Sequence, residues 1–174
     1  MTRVESRSRI EIRLALPSEY AVVGDLTVEA YTVDGFLDDT DGYADHLRDA
    51  AGRAADAELW VAANDSGVLG SVTYCPPGSR FCELATGPDQ SEFRMLAVAP
   101  TARRGGVGRA LVEQCIARSR ALGHRELVLS SLAAMTAAHR LYAALGFVRA
   151  PELDWRPLPE IELLGFRLRL GHPV

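Results

Sequence analysis

Two hydrophobic periods divide the chain between strand and helix. Residues 8–15 (SRIEIRLA) alternate polar and apolar positions, the pattern of a half-buried strand. Pro17-Ser18-Glu19 then opens a helical stretch running to about Tyr31, and a second helix is predicted from about Tyr43 to Ala57. Between them lies the Gly- and Asp-rich loop VDGFLDDTDG. The runs ELWVAA (58–63) and VLGSVTY (68–74) flank a four-residue polar turn, Asn64-Asp65-Ser66-Gly67, which predicts a hairpin. An irregular excursion, CPPGSRFCELATGPDQS, leads into EFRMLAVA (92–99), whose nearly continuous apolar end reads as a strand buried on both faces.

Beyond that strand, Val107, Leu111, Cys115 and Leu122, flanked by Val112 and Ile116, form a wide helical stripe with Arg109, Glu113 and Arg120 opposite. ELVLSS (126–131) is a further buried-type strand. Strand, helix and strand in so short a span imply a right-handed parallel crossover. MTAAHRLYAALGF reads as a helix ended by Gly146, and residues 147–150 and 161–170 as two final strands. The expected fold is therefore α/β: a mixed sheet of about seven strands, one central βαβ unit and about four helices.

Composition narrows the function. With 174 residues, 48% hydrophobic and 24% charged, the chain suits one domain with a full core. No apolar run approaches the ~18 residues of a membrane span. The N-terminal MTRVESRSRIEIR has charge without an apolar core, so a cytoplasmic location is expected. A formal charge of −4 argues against nucleic acid and membrane surfaces as partners. Cys75, Cys82 and Cys115 have neither disulfide nor metal-ligand spacing, and no metal is expected. All 19 basic residues are arginine. Together with many alanines this suggests a GC-rich bacterial genome, and it leaves the chain no lysine to acylate.

The chemistry concentrates at Arg103-Arg104-Gly105-Gly106-Val107-Gly108, where the buried strand hands over to a helix. Amides at a helix N-terminus lack internal acceptors and share the positive end of the dipole, so they suit phosphate. Glycines let the backbone approach closely, and Arg103, Arg104 and Arg109 add charge; a pyrophosphate is the natural ligand. The segment is neither a Walker loop, lacking Gly-Lys-Ser/Thr, nor the dinucleotide fingerprint, because Leu111 stands where the third glycine would.

The stretch LAVAPTARRGGVGRAL (96–111) resembles the acyl-CoA-binding motif of the GNAT superfamily of N-acetyltransferases, Arg/Gln-x-x-Gly-x-Gly/Ala, with Arg103, Gly106 and Gly108 at its defining positions. Downstream, Ala138 to Phe147 resembles the same family's Ala-x-x-Leu-Tyr-x-x-x-Gly-Phe helix. The match covers about residues 92–150. It implies a mostly antiparallel sheet, acetyl-CoA as cosubstrate, and Ala97 and Val98 pairing with pantetheine through their backbone. It also implies that the amide around Leu96 faces the thioester oxygen and that Tyr142 is the acid for the departing thiolate. On its helix Tyr142 shares a face with Met135, Ala138 and His139, while Leu141 and Leu145 are expected to face the core. Many relatives carry Asn where this chain has Met135, which implies a packing contact with the pantetheine arm and room for a longer acyl group.

Glu92 matches the glutamate of the histone-acetylating branch and is a candidate base; a solvated strand end is the alternative. Arg94 on the same face is placed to pair with it, and His139 is a second candidate base. The family's acceptor pocket borders the loop between the first two helices, which here holds Tyr31, Phe36, Asp34, Asp38, Asp39, Asp41 and Asp45. These acids either attract a cationic amine or simply form a solvated loop. The expected partner is a small-molecule or peptide amine, with a homodimer common in the family. Two other readings stand beside the enzyme: a non-catalytic acyl-CoA sensor and a nucleotide-binding regulator.

Overall fold

The computed structural model describes residues 9–37 and 42–171. Eight strands build one sheet: β1 (Glu11–Leu14), β2 (Glu58–Asn64), β3 (Gly67–Cys75), β4 (Gln90–Val98), β5 (Glu126–Leu132), β6 (Val148–Arg149), β7 (Trp155–Leu158) and β8 (Ile161–Arg169). Their order is β1-β2-β3-β4-β5-β8-β6, with β7 attached to β8. The pair β4–β5 is parallel and every other pair antiparallel. The helices are α1 (Tyr20–Val33), α2 (Tyr43–Arg48), α3 (Ala50–Asp56), α4 (Val107–Ala121) and α5 (Thr136–Ala144).

Three elements differ from the sequence expectation. The helix predicted over 43–57 is two helices, because Asp49 leaves helical geometry (ψ 63°) and its side chain caps α3 by accepting from the Gly52 amide at 2.9 Å. The hairpin strands extend through Asn64 and Gly67, which pair with each other and leave a two-residue turn. β7 was not foreseen: it contains Pro157 and pairs with β8 through an irregular register.

Alternation in β2 sorts its residues onto two faces. Leu59 and Val61 join Val23 of α1 and Ala50 of α3 in one buried cluster. Ala62, together with Val72 and Tyr74 of β3, joins the opposite cluster, which the α4 stripe Val107, Leu111, Val112, Cys115 and Ile116 fills. Leu122, assigned to that stripe by spacing, caps α4 instead and is exposed. Gly70 lets α4 sit this close: a Cβ there would lie 2.8 Å from Ala97 O and 2.9 Å from Val107 Cγ1. Burial therefore fixes the N-terminus of α4 over the ends of β3 and β4. Among the described residues no helix is long and apolar enough to cross a membrane.

Candidate active site

β4 changes course at a bulge. Thr73 pairs with Arg94 and Ser71 with Ala97, so Met95 and Leu96 together oppose Val72 alone. Met95 takes a left-handed φ of 53°, unfavourable for a residue with a Cβ and tolerated only where the surroundings impose it. On its other side β4 pairs with β5 at Gln90, Ser91 and Glu92 only. Beyond Glu92 the two strands diverge, leaving unpaired backbone from Phe93 onward facing a gap within the sheet.

A cleft of about 670 Å³ occupies this opening. One wall is Leu96, Ala97 and Val98 of β4, and the other is the start of α5, from Met135 through Ala138 to Leu141. Its upper end is the turn into α4, with Arg103, Arg104, Gly106, Val107, Gly108 and Arg109. Gly105 lies in the same turn and is exposed without bordering the cleft. Gly106 is the N-cap of α4 at φ 79° and supplies no capping side chain. The first intrahelical bond runs from the Ala110 amide to Gly106 O at 3.0 Å, so the amides of Gly106, Val107, Gly108 and Arg109 precede the ladder and have no acceptor within it. These donors and the positive dipole end fit a diphosphate.

The arginines there are not equivalent. Arg103 forms a two-pronged pair with Asp34 at the end of α1 (2.7 and 2.8 Å), which raises its pKa further. Arg109 pairs with Glu113 at 3.0 Å along α4. Arg104, at φ 65°, makes no ion pair among the described residues. Sequence reasoning missed the Asp34–Arg103 bridge, which spans 69 positions and has no local signature.

Tyr142 and Glu92 are both buried and do not line the cleft. Tyr142 is 4% exposed, wedged among Phe93, Phe147 and Phe166 with ring centroids 5.8 to 5.9 Å away. The expected facing of α5 holds only in part: Leu141 and Leu145 pack on the core cluster, but Tyr142 is buried in that cluster too, and Leu141 also lines the cleft. Burial holds the Tyr142 phenol well above its usual pKa, so it stays protonated. Met135, the N-cap of α5, lines the cleft and accepts a contact from Ser131 Oγ to its sulfur at 3.5 Å.

Glu92 stands at the vertex where β4 and β5 part and is fully buried. Its Oε2 accepts the amides of Glu83, Leu84 and Ala85 at 2.9, 2.9 and 3.2 Å, while its Oε1 has no hydrogen-bond partner among the described residues. Burial raises its pKa against the opposing pull of those amides and of Arg94. A solvated strand end is excluded. Arg94 forms no pair with it: the guanidinium reaches Glu83 at 3.6 Å and Phe81 O at 3.2 Å. His139 hydrogen-bonds Ser131 Oγ at 3.1 Å, and burial lowers its pKa.

The acceptor-loop acids are only partly described: Asp38, Asp39 and Asp41 lie outside the described residues. Asp34 is held by Arg103, Asp45 lies 3.9 Å from Arg48, and Tyr31 and Phe36 border the cleft. A further residue had no sequence signal. Arg53 of α3 is fully buried without a carboxylate partner among the described residues, and it donates to Leu47 O (2.8 Å), Thr73 Oγ1 and the Met95 sulfur (both 3.3 Å). It thereby grips both sides of the bulge from behind. Among the described residues no three His, Cys, Asp or Glu side chains gather as a metal site.

A family model described as acetyltransferase (GNAT) domain matches residues 55–149, the span that contains β2 through α5. The chain belongs to the GNAT acetyltransferase family. It is 34% identical over 116 residues to a mycothiol acetyltransferase of Cellulomonas flavigena, a match covering 62% of this chain. The chain spans only about a third (33%) of that relative's length. Its fold is similar to a crystal structure from Desulfovibrio desulfuricans described as a GNAT-family acetyltransferase (TM-score 0.73, 22% identity, covering 92% of this chain and 99% of that one). It is similar also to a Salmonella typhimurium acetyltransferase solved with acetyl-CoA (TM-score 0.67, 19% identity, covering 93% and 94%).

Proposed function

We propose that this chain transfers an acetyl group from acetyl-CoA to a primary amine. The observation that carries the reading is the cleft itself: unpaired β4 backbone on one wall, and at its end the amides of Gly106 to Arg109 ahead of the α4 ladder. A diphosphate at that turn leaves a pantetheine arm lying along Ala97 and Val98, bonded to their backbone as an added strand would be. The bulge at Met95 and Leu96 supports the role of the Leu96 amide as the donor that stabilises the developing oxyanion of the thioester.

Two proton movements complete the transfer. Glu92 takes the ammonium proton, through a water at its unpartnered Oε1, and its raised pKa brings it closer to the range in which a base works at neutral pH. Tyr142, kept protonated by burial, gives a proton to the departing thiolate. Met135 packs against the arm near its thioester end and leaves room for acyl groups longer than acetyl.

The test is a thiol-release assay with acetyl-CoA across small-molecule and peptide amines, with binding followed by calorimetry. Amine-dependent CoA release supports the enzyme. One observation favours a second reading, a non-catalytic acyl-CoA sensor: neither Tyr142 nor Glu92 lines the cleft. Tight acetyl-CoA binding without release for any amine selects the sensor.

A further inference from the structure

The thiols outside the cleft form a built pair. β3 ends at Cys75, and the chain turns at once through Pro76-Pro77-Gly78, with Gly78 at φ 86°. Two consecutive turns, Ser79 N to Pro76 O and Cys82 N to Ser79 O (both 3.1 Å), fold the excursion back on the strand end. Cys82 Sγ therefore lies over the peptide it left seven residues earlier, 3.3 Å from Pro76 O and 3.7 Å from Cys75 O. Each thiol donates to backbone of the same strand end, Cys82 to those two carbonyls and Cys75 Sγ to Thr73 O at 3.9 Å. The excursion is tethered rather than loose: Asp56 holds the Arg80 amide at 2.6 Å and Ser79 Oγ at 3.3 Å, and Phe81 O accepts from Arg94.

We propose that Cys75 and Cys82 are a peroxide-oxidisable pair that closes reversibly to an intramolecular disulfide. The two sulfurs divide the labour. Cys82, half-buried, is the sulfur that peroxide can reach, and it becomes the attacking thiolate on giving up the proton it directs at Pro76 O and Cys75 O. Cys75, fully buried and donating to Thr73 O, stays the neutral thiol and is the resolving sulfur. The Cys82 thiolate attacks one peroxide oxygen. The O–O bond breaks, sulfenic acid forms, and the leaving oxygen takes a proton from water. The Cys75 sulfur then attacks the sulfenyl sulfur, the S–O bond breaks, and hydroxide leaves with the Cys75 proton as water. Two thiols and one peroxide yield one disulfide, one alcohol or water, and one water.

The pair also adjoins the candidate base. Cys75 is the register partner of Glu92, and Cys82 immediately precedes Glu83, the first of the three amides that hold Glu92 Oε2. Closing the bond pulls on that cradle. Cys115 is an internal control, fully buried in the opposite core cluster.

The experiment treats the reduced full chain with stoichiometric hydrogen peroxide and counts thiols by alkylation and intact mass, with peptide mapping. The expected result is loss of two of the three thiols as a 75–82 cross-link, restored by dithiothreitol, with Cys115 still free. In Cys75→Ser, Cys82 stops at a sulfenic acid trapped by dimedone. In Cys82→Ser, a half-exposed position that leaves the core intact, no cross-link forms. Oxidation of Cys82 straight to sulfinic acid in the wild type, intermolecular cross-links alone, or three free thiols after treatment overturns the proposal. None of these readouts depends on acetyl transfer.

Discussion

Replacing Glu92 with Gln separates a base from a structural clamp. The raised pKa of Glu92 means that desolvation of the carboxylate outweighs what its three amides and Arg94 return. A neutral isostere keeps the three bonds to Glu83, Leu84 and Ala85 in weaker form and sheds that desolvation. The remaining cost comes from Oε1, where Gln places an NH2 group with no acceptor, about 1–3 kcal/mol. In a chain this size that lowers Tm by about 2–12 °C. Loss of a general base, by contrast, costs roughly 10²–10⁴ in kcat/KM, or about 3–5 kcal/mol of barrier. Melting curves and thiol release, the latter measured well below Tm, therefore report different quantities. The sign in pH is also fixed. Activity of the wild type climbs with pH through a value above the usual carboxylate range, and that limb disappears in Glu92→Gln. Because the folded pKa is raised, the stability Glu92 contributes is complete below its unfolded pKa and is lost as pH rises through the folded value. The stability gap between wild type and Gln variant thus narrows as pH rises. A Gln variant with lowered Tm and kcat/KM within about threefold of wild type would refute Glu92 as base and leave it a clamp for residues 83–85.

Other perturbations follow from the same geometry. Tyr142→Phe removes a hydroxyl with no hydrogen bond among the described residues, so Tm should move little; thiol release should fall at least tenfold with acetyl-CoA affinity by calorimetry within about threefold. Gly106→Val forces a β-branched residue to φ 79°, costing about 1–2 kcal/mol, and displaces the free amides of the α4 turn; acetyl-CoA Kd should rise at least tenfold. Gly70→Ala drives a methyl into Ala97 O and Val107, an overpacking of about 1–3 kcal/mol that scanning calorimetry reads as a Tm fall of about 2–12 °C.

The central unit β4–α4–β5 was legible because its signals are local: a doubly buried strand, a glycine-rich turn and an amphipathic stripe within about forty residues. The break at Asp49 was also written in the chain, as Asp three residues before Gly52, but the continuous helical periodicity of 43–57 masked it. The facing of Tyr142 was not legible. α5 is nine residues long, and its orientation is decided by Phe93 and Phe166, aromatic partners from two distant strands. The environment of Glu92 was equally hidden, since the amides that bind it come from an irregular excursion with no period to read. Arg53 reads as an ordinary exposed helix arginine because its partners Thr73 and Met95 lie 20 and 42 residues away.

The divergence of β4 from β5 has a thermodynamic side. It places two strand edges in the middle of a sheet, where edges are ordinarily found only at the rim and are ordinarily protected. An extended molecule that bonds to one of them acts as a missing piece of secondary structure and binds only the folded chain. The melting temperature then measures ligand concentration: at a hundred times Kd the linkage is worth about 2.7 kcal/mol, a rise of roughly 5–11 °C for a chain of this length. Hydrogen exchange offers the residue-level counterpart: between Phe93 and Val98 the amides that face the gap rather than β3 slow on binding, while those of Gln90 to Glu92, already paired to β5, do not change.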